Sequence, residues 1–248
     1  MSRPARRPRK LKPAPVVPPP ASDPAPLPID LLTGPRGFGA QLAKSEPVLW
    51  RYWAAVVVTA LLSGVAYALL VRPAANLAAE LTKSAAPPLI VHITNAFGSV
   101  FLTVLTFAIM WGLGRLGAGR GQTLRGSRVA EIFSASFALL VPLYLLVIVL
   151  TLSTPASAWV PSSAALAAAG QNPRLIQVAA LASAAQTSGA LALGIVTFLG
   201  TAAQCALAFF ALRETVGTLG RAVLGALLPL VPALLVGFIA IAPLILAR

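Results

Sequence analysis

Catalysis would require a base, a nucleophile or a set of metal ligands, and the residues able to supply them are few. His92 is the only histidine, Cys205 the only cysteine, and the acids number six: Asp23, Asp30, Glu46, Glu80, Glu131 and Glu214. A metal site needs several such groups at ligand spacing, and a hydrolytic triad needs a base beside its nucleophile. His92 sits in LIVHITNAFG with no second histidine, cysteine or carboxylate close in sequence. It is expected to be a polar residue near a membrane interface rather than a ligand or proton relay. The G-x-S-x-G, H-E-x-x-H, phosphate-loop and dinucleotide-binding patterns are all missing from the sequence. No catalytic residue, cofactor or metal follows from the sequence, and the expectation is a protein that is not an enzyme.

Two polar residues lie inside or beside long apolar runs. Gln204, the most polar interior residue of its run, is expected to face another helix and hydrogen-bond there, with a substrate contact as the alternative. Glu131 lies within two turns of Arg128 and Arg125, and pairing with one of them gives it a structural role. Four arginines, Arg115, Arg120, Arg125 and Arg128, occur among glycines in GLGRLGAGRGQTLRGSR, directly before the apolar run VAEIFSASFALLVPLYLLVIVLTL.

The elements that carry these residues are apolar segments. With 58% hydrophobic and 10% charged residues in a chain of 248, there is too little polar surface to cover a soluble globule. About 20 apolar residues in a helix cross the hydrocarbon core. Five stretches qualify, near residues 50–71, 89–113, 129–152, 189–212 and 222–247, and the fold expected is an all-α, five-span bundle with kinked helices over residues 48–248. The net charge of +13 would suggest nucleic acid in a soluble protein. Here nearly half of the basic residues precede the first run and no aromatic-interleaved basic surface accompanies them, so nucleic acid is not an expected partner.

Cationic loops stay on the cytoplasmic side of a membrane. Placing the arginine loop there puts 15 Lys and Arg inside and leaves four, Arg72, Lys83, Arg174 and Arg248, outside. That predicts a multi-pass protein of the cytoplasmic membrane with its amino terminus in the cytosol and its carboxyl terminus outside. Residues 1–47 read as a disordered basic tip, a proline-rich spacer and a cytosolic lead-in whose apolar pieces IDLL and GFGAQLA suggest an interfacial helix. Arg6, Arg7, Arg9 and Lys10 of the tip, with Arg115, Arg120, Arg125 and Arg128, are candidates for contact with anionic headgroups or a cytosolic partner.

Within the spans, Gly64, Gly194 and Gly200 are candidate helix-packing positions, together with Gln204. Pro142, Pro229 and Pro232 are candidate kinks; Pro142 should free the Ala138 carbonyl, which Ser134 or a neighbouring helix would satisfy. Trp50, Tyr52 and Trp53 are expected at the headgroup level. Residues 72–88 read as a connection with an interfacial helix. Residues 154–188 read as a surface or capping segment, with Trp159 at the outer interface and Leu175, Val178, Ala179, Ala182 and Ala185 on one apolar face.

The order of these features resembles the Yip domain family of Ypt-interacting membrane proteins. The resemblance spans residues 30–247. It rests on five spans with a cytosolic amino terminus, a glycine-rich segment entering a span with a central proline, and the lead-in DLLTGP. Asp30, Leu31, Gly34 and Pro35 are similar to the family's Asp-Leu-x-Gly-Pro motif, with one additional residue. Eukaryotic members assist vesicle traffic and membrane shaping; this chain lacks their Gly-Tyr pair and carries a basic, proline-rich tail instead. The resemblance implies a non-enzymatic scaffold or organiser, in contact with the bilayer and with other membrane proteins or a second copy. The alternative is a permease-like component for a neutral or lipidic substrate, which would show a polar cavity reaching mid-membrane.

Overall fold

The computed structural model describes residues 23–119 and 126–246. The basic tip with Arg6, Arg7, Arg9 and Lys10, and the loop residues Arg120 and Arg125, lie outside the described residues. Those described contain no strand, and five helices are long and apolar enough to cross a membrane: Trp53–Leu81, Leu89–Ala118, Gly126–Leu152, Ser188–Val216 and Leu219–Ile245. They are called here the first to fifth spans. At 1.5 Å per residue each is about 40–45 Å long, against about 30 Å for a hydrocarbon core. The chain is an all-α, multi-pass membrane bundle, as its apolar runs predict.

The lead-in packs its apolar face against the bundle. It forms two short helices, α1 (Pro28–Thr33) and α2 (Pro35–Lys44). The Asp30 carboxylate accepts the Leu27 N–H at 2.7 Å and closes the start of α1, while Gly34 joins the pair and Pro35 opens α2 with its fixed φ. Leu31, Phe38 and Leu42 are 0–1% exposed within the main core. α2 lies along the fourth span, where Gly39 lets the backbones meet: a Cβ there would stand 2.6 Å from the Ala211 carbonyl oxygen. Burying three large apolar side chains from water is worth about 1.5–3 kcal/mol each, enough to hold such a short pair in place.

The first span does not stop near Val71 but continues through Pro73 to Leu81. A proline inside a helix forfeits a hydrogen bond and tends to end it. Here the turns beyond it are held by packing, because Ala74, Ala75, Ala78 and Ala79 are buried and the span lies against a cap built from residues 156–184. The cap consists of a tight turn at Ala156–Trp159 and helices Ser163–Ala169 and Pro173–Ala184. Trp159 is buried against the first span, and its indole N–H donates to the Leu70 carbonyl at 3.0 Å, beside Pro73. The cap helix turns a different face inward from the one the sequence suggests: Ile176, Ala180, Leu181 and Ala184 are buried with Ala185, while Leu175 and Val178 are exposed.

Three spans carry a local irregularity. The third has a 3₁₀ turn at Phe137–Leu139 just before Pro142, and the bend is stabilised from outside, with the Thr59 hydroxyl donating to the Phe137 carbonyl at 2.9 Å. Ser134 does not reach Ala138; its hydroxyl donates to the Glu131 carbonyl of its own helix. The fourth span has a π-helical segment at Val196–Gly200, and the fifth is interrupted at Leu228–Pro229. Pro229 is therefore a break. Pro232, in the first turn after it, lacks only an N–H that a helix start leaves unpaired, and so does not act as a kink.

Candidate functional sites: a buried ion-pair cluster and a polar pocket

Two polar constellations are built into this apolar bundle. The first joins the lead-in to the third span. Glu131 is fully buried, and its carboxylate meets Arg51 at 2.9 Å and Arg128 at 3.1 Å. The Val48 N–H donates to the same carboxylate at 2.9 Å. Arg128 also donates to the Ser45 hydroxyl at 3.1 Å and to the Ser45 carbonyl, and Arg51 donates to the Ser45 hydroxyl at 3.1 Å. Each carboxylate oxygen thus has a cationic partner, which is the condition under which a charge tolerates burial. Arg128 was expected to face lipid or a partner. It is 7% exposed and committed to this cluster instead, whereas Arg115 remains exposed at the end of the second span.

Tyr52, expected at the headgroups, belongs to the same corner. It is buried, with its hydroxyl donating to the Pro26 carbonyl at 2.5 Å and its ring against Phe38. Burial pushes the Tyr52 phenol up to about 12, with the neighbouring Arg51 pulling in the opposite direction. Trp50 is the exposed aromatic here, edge-on to Trp53. The cluster ties residues 26–48 to the third span; it presents no cleft and no unpaired base.

The second constellation lies at mid-depth. Gln204 is two residues from the middle of the fourth span and Thr103 is at the middle of the second. Between them is a cavity of about 40 Å³ shared by all five spans. A water needs roughly 10–15 Å³ measured this way, so the space holds about three. Gln204 is 0% exposed, and both its carboxamide nitrogen and its oxygen lack a hydrogen-bond partner. The expected helix-to-helix bond is therefore not made. Gln204 lines the cavity with hydroxyls from three other spans and its own: Thr103 and Thr106, Tyr67, Tyr144, and Thr197 and Thr201.

The threonine hydroxyl protons are already engaged. Thr103 donates to the Ser99 carbonyl, Thr106 to Leu102, Thr197 to Leu193 and Thr201 to Thr197, all at 2.6–3.0 Å. Thr103 also shares a hydrogen bond with the Ser63 hydroxyl at 2.7 Å and Thr197 one with Tyr144, so the acceptor capacity left to the cavity is mainly that of Thr106 and Thr201. The wall holds no charged side chain. The cavity lies beside the irregularities: Phe137 of the 3₁₀ turn and Val196 and Thr197 of the π segment are lining residues. π segments inside α-helices frequently mark functional sites.

The remaining candidates divide. Gly64 is a close-packing position, since a Cβ there would stand 2.8 Å from the Ala96 carbonyl oxygen of the second span. Gly200 is another, at 2.7 Å from Leu140. Gly194 is not, because nothing lies within 4 Å of a Cβ built there. Gly39, Gly114, Gly117 and Gly189, which the sequence did not single out, all make close approaches. His92 is half-buried, and no group of three metal-binding side chains occurs among the described residues. Compared with family profiles, with curated proteins and with solved structures, the chain matches none of them.

Proposed function

We propose that this protein is a non-enzymatic organiser of the cytoplasmic membrane, of the Yip-like kind, with its lead-in on the cytosolic side. One observation carries the reading: the lead-in is docked onto the bundle end that holds most of the described cations, the greater part of them outside ion pairs. Arg36, Lys44, Arg51, Arg115, Arg128, Arg213 and Arg221 belong to that end, against Arg72, Lys83 and Arg174 at the other. Among the described residues only Arg51 and Arg128 of the first group are ion-paired with a carboxylate. A cation-rich end is the cytosolic one by the positive-inside rule and attracts anionic headgroups at about 1 kcal/mol per cation. The test is retention of phosphatidylglycerol by the purified full chain in detergent, followed by native mass spectrometry. The combined variant Arg36→Gln, Lys44→Gln, Arg213→Gln, Arg221→Gln should retain markedly less; equal retention would refute lipid organisation through this face. Reporter fusions to the two ends of the chain should fall in different compartments.

A second reading, a permease-like component for a neutral substrate, is favoured by the mid-depth cavity. Its test is swelling of proteoliposomes in small neutral solutes, and a rate equal to that of protein-free vesicles would exclude it.

A further inference from the structure

We infer that the Gln204 cavity is a binding site for an uncharged hydrogen-bonding group, a primary amide or hydroxyl head of about three non-hydrogen atoms. The inference goes beyond both readings above, since a bundle that organises lipid and one that moves a solute can each hold such a ligand.

The argument begins from the cost of what is seen. An amide buried in an apolar bundle with neither end paired is strongly disfavoured, and native interiors pair nearly all such groups. Gln204 has both its donor and its acceptor unpaired at 0% exposure. Leucine would fill the same space without that cost, so the carboxamide is better explained by an occupant than by packing. The wall specifies the occupant's chemistry. The Gln204 carboxamide oxygen has no donor, and Thr106 and Thr201, their protons given to backbone carbonyls, offer acceptor lone pairs beside it, so the ligand must donate. The Gln204 N–H₂ requires that it also accept. An ion is disfavoured, because no charged side chain lines the cavity to offset its desolvation. The volume of about 40 Å³ limits the inserted part to a small head.

A route is also visible. His92, Asn95, Ser99, Thr103 and Thr106 recur at intervals of three and four residues along the second span, so they share one helix face. All five are half-buried. This polar stripe runs from the far end of the span to the cavity and suits a free solute arriving from water. The second span is also the least enclosed, with 11% of its most apolar stretch buried, so an amphiphile in the bilayer can approach as well.

The experiment uses the full chain in lipid nanodiscs with glutamine side chains labelled with nitrogen-15. The Gln204 carboxamide signal is identified by its loss in Gln204→Leu. Acetamide is the water-borne probe and oleamide the bilayer-borne probe. A saturable shift of the Gln204 signal, with affinity weakened tenfold or more in Thr106→Val, supports the site; which probe produces it distinguishes the two sources. A saturable rise in Tm with the same probe, absent from Gln204→Leu, is the second expected readout. No shift with either probe, or an equal rise in Tm in Gln204→Leu, overturns the inference and leaves a cavity filled by water alone.

Discussion

Replacing Glu131 tests the view that the lead-in is locked to the bundle by charge. Glu131 is the only acid in the cluster, at 2.9 Å from Arg51 and 3.1 Å from Arg128, and it also accepts the Val48 N–H. In Glu131→Leu the Arg128 guanidinium, whose side chain is 9% exposed, stays buried without a counter-charge. Breaking a buried pair from one side costs about 3–5 kcal/mol, a large part of a typical domain's stability of roughly 5–15 kcal/mol. Glu131→Gln keeps one oxygen to accept from Val48 and Arg51 but turns an amide N–H₂ toward Arg128, which loses both acceptor and counter-charge, so it should still cost about 3 kcal/mol. Arg51 is less enclosed, at 18% side-chain exposure, and Arg51→Ala should cost about 1–2 kcal/mol. The double variant Arg128→Met, Glu131→Leu removes both charges and should recover much of the loss, since an apolar pair of similar volume carries no desolvation cost. Equilibrium unfolding of the full chain in mixed micelles measures these differences, and trypsin cleavage after Lys44 reports release of the lead-in. A Glu131→Leu protein within about 1 kcal/mol of the parent, with Lys44 equally protected, would refute the charge lock.

Three further outcomes follow from single contacts. Gly39→Leu should destabilise by about 1–3 kcal/mol or expel α2 from the fourth span, because a Cβ alone already meets the Ala211 carbonyl oxygen at 2.6 Å; Gly194→Ala, with open space, should be neutral or slightly stabilising in the same unfolding assay. Trp159→Phe removes the donor to the Leu70 carbonyl and should cost about 1–2 kcal/mol, read as faster hydrogen exchange in residues 74–81. Tyr52 has its pKa raised from 10.0 to about 12, so its protonated form contributes stability below pH 10 that is lost as the pH rises toward 12. Alkaline unfolding monitored by circular dichroism should therefore shift to higher pH in Tyr52→Phe; an unchanged midpoint would show that Tyr52 does not govern that limb.

The spans were legible because a run of apolar residues needs no partner to be recognised. Their ends were less so, because neighbours decide them: the first span passes Pro73 where a cap about 90 residues further along covers its last turns, and no local pattern announces that. Spacing offered Arg125 or Arg128 as the partner of Glu131, and Arg128 is the one found, but Arg51, 80 residues earlier, could not be found from spacing along one helix. For the cap helix, many alanines made several faces equally apolar, and the buried one is set by the first span. Gln204 stood out as an internal polar residue. That it is left unpaired, with hydroxyls from other spans gathered around it, depends on tertiary placement. The glycine loop gave the pattern of cations, while the structure takes Arg128 out of that set and places it in the core.

The docking of the lead-in has a bearing on how the chain is assembled. Residues 26–48 leave the ribosome before any of the five spans, yet their seat is made of Glu131 in the third span and Ala211 in the fourth. That seat does not exist until the later helices have been inserted. This early segment must therefore wait unlatched beside the membrane through most of synthesis, and its closure is a late step that follows bundle assembly. A chain halted after its second span would carry that segment loose, its three large apolar side chains uncovered and open to chaperones or proteases.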